Sequence, residues 1–196
     1  ENLMAALHGE QTGDVRVQWV DFLGERLIVL GKLMADAVHA VDPEMKVGMM
    51  VPVTHMLAPI GHTITNVLET FTPRGKPLVR PSICPYSDHN RRQIFSALFH
   101  TEFVGHLLGN DVEYTPELET SPYTRYSKSM AVNRFEIAQG ILNRMNNPAL
   151  SVNGCLGDSP FIEPAFPEML TDSRGFFERL RMLAPARGTR KGIQLF

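Results

Sequence analysis

The sequence is poor in several things. It has two cysteines, Cys84 and Cys155, and they form no CxxC pair. Two reduced thiols are the simpler reading, with a Cys84–Cys155 disulfide as the alternative, and reduced thiols fit a cytoplasmic setting. No Gly-rich loop of the GxGxxG or GxxxxGK[ST] type is present, which weakens a nucleotide-binding reading. No stretch approaches the roughly 18 apolar residues of a membrane span, and the start shows no signal-peptide pattern. No block of like charge suggests a basic tail or membrane patch. The formal net charge of -2 argues against a nucleic-acid binder, which usually carries a basic excess. No short-period repeat or low-complexity tract is found. There is a single tryptophan, Trp19.

What is present suits one globular domain. The chain has 196 residues, 43% of them hydrophobic, enough to bury a core. From about Val15 to Val41, an apolar stripe of Val20, Leu23, Leu27, Leu30, Met34, Ala37 and Val41 steps by three and four, as on a helix. Trp19 belongs to the packing of that helix. Asp42-Pro43 ends it, because the residue before proline is pushed out of the helical region. Met45–Val51 is short, apolar on both faces and bounded by Pro43 and Pro52, as a buried parallel strand would be.

The same grammar then repeats. Ile64–Phe71 reads as a helix and Lys76–Ile83 as a strand. Arg91–Asn110 reads as a helix stopped by Gly109-Asn110. A strand follows in "DVEYTPELET", then a helix over Ser127–Met145 with Ile137, Ile141 and Met145 on one side. Ala149–Leu156 is the last strand and Glu168–Leu183 the last helix. Four strands alternating with helices predict an α/β fold with a parallel sheet, either a barrel or an open doubly wound sheet.

In such folds ligands sit at the carboxyl ends of the strands. The first exit offers Thr54 and His55. The second offers Arg80, Tyr86, Asp88 and His89. The third offers Glu117, Glu119, Tyr123 and Arg125, and the fourth Asn153 and Asp158. This polar, partly aromatic set suits a hydroxyl-rich ligand such as a sugar, since aromatic rings give flat apolar faces and carboxylates accept from hydroxyls.

Plainer readings stand beside this one. Glu113, Thr115, Glu117 and Glu119 share one strand parity, which a solvated acidic face would also produce. Pro116 cannot donate to a ladder, so a bulge or break is expected there. Arg80, just before Pro81, is well placed to pair with a carboxylate. His55, Asp88 and His89 are either surface loop residues or, alternatively, ligands of a metal-dependent hydrolase.

Several segments together resemble the second half of a glycoside hydrolase (β/α)8 barrel, close to the β-galactosidases of glycoside hydrolase family 42. They are "DPEMKVGMM" after a long helix, "GKPLVRPSICPYSD", "PELETSPYTRYSKS", and "ALSVNGCL" followed by "RGFFERLRML". The resemblance runs from roughly Val15 to Leu183. It implies that the four strands correspond to strands five to eight of a partial TIM barrel covering residues 1–186. Residues 187–196 would open a following, truncated segment.

The resemblance places the catalytic nucleophile at the end of strand seven, on "ELET". Glu119 is favoured, with Glu117 in reserve as nucleophile and otherwise as a sugar-hydroxyl acceptor or helper. Arg80, Tyr86, Asp88, His55, Tyr123, Arg125 and Asn153 would line the substrate site. The acid/base glutamate of the family stands at the end of strand four, upstream of Glu1. The chain therefore reads as a fragment, inactive alone.

Retaining glycosidases hold their two carboxyl groups about 5–5.5 Å apart. Glu117 and Glu119 would be about 7 Å apart at Cα on an unbroken strand, so they are not each other's acid and nucleophile. The expected function is retaining hydrolysis of a β-glycosidic bond. The expectation includes a carbohydrate substrate, no cofactor, no nucleic-acid or membrane partner, and homo-oligomerisation left open. A sugar-binding barrel without turnover, the metal-dependent hydrolase, and a self-contained half-barrel or flavodoxin-like protein are the alternatives.

Overall fold

The computed structural model describes residues 13–51, 64–71, 76–82, 87–89, 91–119, 128–145, 147–150 and 164–185. The elements follow in the order α1 (Gly13–Val41), β1 (Gly48–Val51), α2 (Ile64–Phe71), β2 (Leu78–Pro81), α3 (Arg91–Leu108), β3 (Glu113–Tyr114), β4 (Glu117–Leu118), α4 (Met130–Leu142), β5 (Ala149–Leu150) and α5 (Ala165–Leu183). Mixed helix and short parallel strand agree with the expected α/β class. No described helix is long and apolar enough to cross a membrane.

The chain divides into two compact units. One comprises Glu1–Met49 and His55–Leu78, the other Met50–Thr54 and Val79–Phe196. In the first, α1 packs on α2. Ala35, Val67 and Phe71 form its buried centre, with Leu27, Ile28, Val47 and Met49 against them. The helices approach closely because Gly31 offers no side chain. A Cβ there would stand 2.8 Å from Thr70 Oγ1 and 3.3 Å from the Phe71 ring. Thr70 Oγ1 itself donates 2.6 Å to the Val67 carbonyl, which ties its hydroxyl to the helix.

The face that α1 buries differs from the expected stripe. Gly24, Gly31 and Ala35 are buried, whereas Leu30 and Met34 are 51% and 52% exposed and Val41 is 88% exposed. The expected positions repeat every seven residues. A straight α-helix drifts by about 20° per heptad against such a repeat, so the stripe rotates off the contact. Trp19 is half-buried and stacks on Phe22 at 5.6 Å between ring centres. The helix ends as expected. Asp42 Oδ1 accepts the Glu44 amide at 2.9 Å, and His39 Nε2 meets the Met45 carbonyl at 3.0 Å.

The strands are ordered as they occur in the chain: β1-β2-β3 in one sheet and β4-β5 in another. β4 and β5 pair in parallel, Glu117 opposite Ala149 and Leu118 opposite Leu150. A parallel bridge between Ser82 and Glu117 joins the end of β2 to β4. Three amides donate backwards along the chain: Ser82 to Val51 O at 3.2 Å, Thr115 to Val79 O at 2.8 Å, and Ala149 to Pro116 O at 2.8 Å.

The break expected at Pro116 falls between β3 and β4. Its carbonyl serves Ala149, but it offers that neighbour no N–H. β1, expected to be buried on both faces, buries Val51 at 2% but leaves Met50 63% exposed. It lies at the edge of its sheet, where one side has no neighbouring strand among the described residues.

In the second unit, α3 ends at Leu108 with Gly109 at φ 72°, a left-handed turn that glycine adopts without penalty. Tyr114 Oη donates 2.7 Å to the Gly109 carbonyl. The buried face of α3 carries the small or branched Ala97, Thr101 and Val104, while Phe95, Phe99 and Phe103 face outward. α4 packs on α5, and Ile137, Ile141 and Met145 are buried together as expected. Arg134 lies over the Phe176 ring at 4.7 Å. Arg144, at φ 61°, takes the left-handed position after α4 and donates to the carbonyls of Ala184 and Pro185, the latter at 3.0 Å.

Candidate functional site

Strand β2 alternates. Val79 and Pro81 are buried, while Leu78 and Arg80 are half-buried. Arg80 thus keeps part of its side chain in water. Its Nη2 pairs with Glu117 Oε1 on β4. The Glu117 side chain is only 12% exposed, so this pair is partly withdrawn from water. The plainer expectation for Arg80, pairing with a carboxylate, is what the structure shows, and the carboxylate is one of the two singled out. Arg80 Nε is buried and makes no hydrogen bond.

A solvated acidic face does not describe this strand end. Glu117 and Leu118 are both buried, and Glu119 is half-buried. The Glu119 carbonyl accepts 2.9 Å from Lys128 Nζ. Lys128 precedes α4 and has no exposed side-chain surface; it pairs with Glu136 one turn and more along that helix, itself 3% exposed. Ser129, between Lys128 and α4, is the N-cap: its hydroxyl accepts the Val132 amide at 3.3 Å. The Ser129 amide donates 2.9 Å to Asp88 Oδ2. The described residues thus bring Arg80, Glu117, Glu119 and Asp88 into a polar group completed by Lys128 and Glu136.

One member carries a shifted ionisation. Burial raises Glu136 from 4.5 to about 7; the Lys128 charge and hydrogen bond oppose this, and the Asp88 charge adds to it. A carboxyl group in that range exchanges its proton near neutrality.

The remaining expected site residues, His55, Tyr86, Tyr123, Arg125 and Asn153, lie outside the described residues, as do Thr54 and Asp158. So do Cys84 and Cys155 and the segment 187–196. His89 is exposed, and Asp88 is engaged by Ser129. Among the described residues no group of three or more His, Cys, Asp and Glu side chains is arranged to hold a metal ion.

Glu136 was not visible as a site residue from the sequence, and Lys128 was visible only as a charge after the strand. A signal does exist. Asn133, Glu136, Ile137, Gly140 and Ile141 follow the helical three-and-four step and are all buried. Polar residues that fall on the apolar stripe of a helix mark a buried polar contact.

A half-buried carboxylate–guanidinium pair beside a second carboxylate, at the ends of parallel strands, can hold a polar ligand and keep an anion fixed against it. No protein-family model, curated protein or solved structure matches this chain.

Proposed function

We propose that this chain is the nucleophile-bearing part of a retaining β-glycosidase of the β-galactosidase-like type, built on a (β/α)8 barrel. The observation that carries this reading is the half-buried Arg80–Glu117 pair, from neighbouring strands at their carboxyl ends, immediately before Glu119. The in-order sequence of strands supports a barrel over a doubly wound sheet, whose order reverses at a switch point.

In the mechanism, the Glu119 carboxylate attacks the anomeric carbon. The bond to the leaving oxygen breaks, and that oxygen takes a proton from a second carboxyl group. Water then attacks the glycosyl ester, deprotonated by the same group acting as a base. Glu117, held by Arg80, accepts from a sugar hydroxyl or fixes the strand end. Tyr86, Tyr123, Arg125, His55, Asp88 and Asn153 complete the proposed sugar site.

The nucleophile can be tested apart from the proton donor. A dinitrophenyl β-galactoside with fluorine next to the anomeric carbon has a leaving group that departs without protonation, and the fluorine slows release of the covalent intermediate. Digestion and mass spectrometry of the incubated chain should find the fluorosugar on the peptide carrying Glu119. Glu119→Gln should abolish labelling, and Glu117→Gln should slow it. Labelling on Glu117 would exchange their roles, and no labelling of either, by this chain or by a longer protein that supplies the other barrel strands, would reject the glycosidase reading. Sugar binding without labelling would favour the second reading, a carbohydrate-binding barrel in which the locked Arg80–Glu117 pair is structural.

A further inference from the structure

Among the described residues the most deeply buried charges are not the strand-end glutamates but Lys128 and Glu136. A buried ammonium alone would cost several kcal/mol, so its partners define its purpose. Lys128 donates to the Glu119 carbonyl at 2.9 Å and pairs with Glu136, while the next residue, Ser129, donates its amide to Asp88. Three links therefore converge where α4 begins. One reaches the end of β4, one the turn after β2, and one the body of α4.

We propose that Lys128 is a positioning residue: held by Glu136, its ammonium fixes the main chain at Glu119 and so aims that carboxylate, with a grip that follows the protonation of Glu136. The catalytic consequence rests on the glycosidase reading; the brace itself does not.

The charges around Glu136 can be named from each side. Lys128 is its cation, and Asp88 is a second carboxylate whose charge it feels. From β4 comes Glu117, already paired with Arg80. From α5 the buried side chains are Phe166, Met169 and Ser173, none of which titrates. Among the described carboxylates Lys128 thus pairs with Glu136 alone, while Asp88 is held by the Ser129 amide. Burial keeps the Glu136 proton on until about 7, so near neutrality its loss changes the pull on Lys128, and the Glu119 carbonyl registers the change.

The test uses the full chain with carbon-13 in its glutamate carbonyl and carboxyl groups. The Glu119 carbonyl is assigned by comparison with Glu119→Gln, and the Glu136 carboxyl with Glu136→Gln. Between about pH 5 and about pH 9 the Glu119 carbonyl shift should inflect at the midpoint of the Glu136 carboxyl. The inflection should vanish in Glu136→Gln and in Lys128→Met. A flat wild-type trace, a midpoint different from that of Glu136, or an inflection that survives in Glu136→Gln would overturn the brace. The wild-type trace alone decides if a variant fails to fold.

A calorimetric titration with deoxygalactonojirimycin, whose ring ammonium pairs with a nucleophile carboxylate, tests the consequence. Lys128→Met should weaken binding by about tenfold or more, as displaced groups do. Equal binding by wild type and Lys128→Met would overturn positioning. No binding by wild type would reject the sugar reading and leave the carbonyl trace to decide the brace.

Discussion

The α1–α2 unit and the unit that carries the glutamates bury their interiors by opposite means. The first uses Gly31, Ala35, Val67 and Phe71 and keeps its ions outside: Lys32–Asp36 is a surface pair, its side chains 67% and 62% exposed. The second places Lys128 and Glu136 in its interior and half-buries Arg80 against Glu117. A dry contact of small residues is the cheaper way to hold two helices. Buried ion pairs are often no more stabilising than apolar residues of the same shape. Their clustering at one place, where the strands end, is what the proposed site is built on.

The contrast can be broken from the dry side first. Phe71→Ala should cost about 3–4 kcal/mol, from lost burial and the cavity left behind, and equally at every pH. Chemical denaturation at two pH values checks this. A loss that varied with pH would mean that the first unit is not the purely apolar one.

From the charged side, Lys128→Met leaves Glu136 without its cation. The loss should be about 2–4 kcal/mol well above about pH 8. There the wild type gains from ionising Glu136 beside Lys128, and the variant must keep Glu136 protonated against the solution or charged without a partner. Below about pH 6, where Glu136 keeps its proton in both, the loss should be much smaller. Denaturation of the variant across that range separates the two cases.

A smaller effect sharpens the same point in the unaltered protein. Glu136 is raised from 4.5 to about 7 in the fold, so the folded state holds its proton more tightly than the unfolded chain. The resulting stability is fully present below about 4.5 and is lost as pH rises through about 7. The decline should be about 1–3 kcal/mol between those limits. Glu136→Gln, with no such proton, should show a flatter dependence. Thermal unfolding in matched buffers reads this directly.

The smallest change belongs to the surface. Lys32→Ala removes an exposed pair four residues apart on α1 and should cost under about 0.5 kcal/mol, less again at high salt.

These differences also explain what the sequence disclosed. The helices were legible because their starts and stops are local. Asp42-Pro43 and Gly109 act within one turn, and the bounds of Ile64–Phe71 can be read directly. The break at Pro116 was legible for the same reason. The contact face of α1 was not, because Gly31 carries no hydrophobic signal and matters only when a second helix approaches. Of the polar group, Arg80 and the two glutamates followed from strand ends. Lys128 and Glu136 did not, since a lysine eight residues before a glutamate resembles any solvated helix until both are found without water.

Pro116 has one more effect. It splits a single extended segment into a part that bonds to β2 at Val79 and a part that bonds to β5 and, through Glu117, bridges Ser82 at the end of β2. Exchanges before the proline would test whether the sheet holds together. Exchanges at Glu117 or Leu118 would disturb the pairing with β5 as well, so half-buried Glu119, just beyond that ladder, is where this segment can acquire a new ligand preference while its anchorage stays the same.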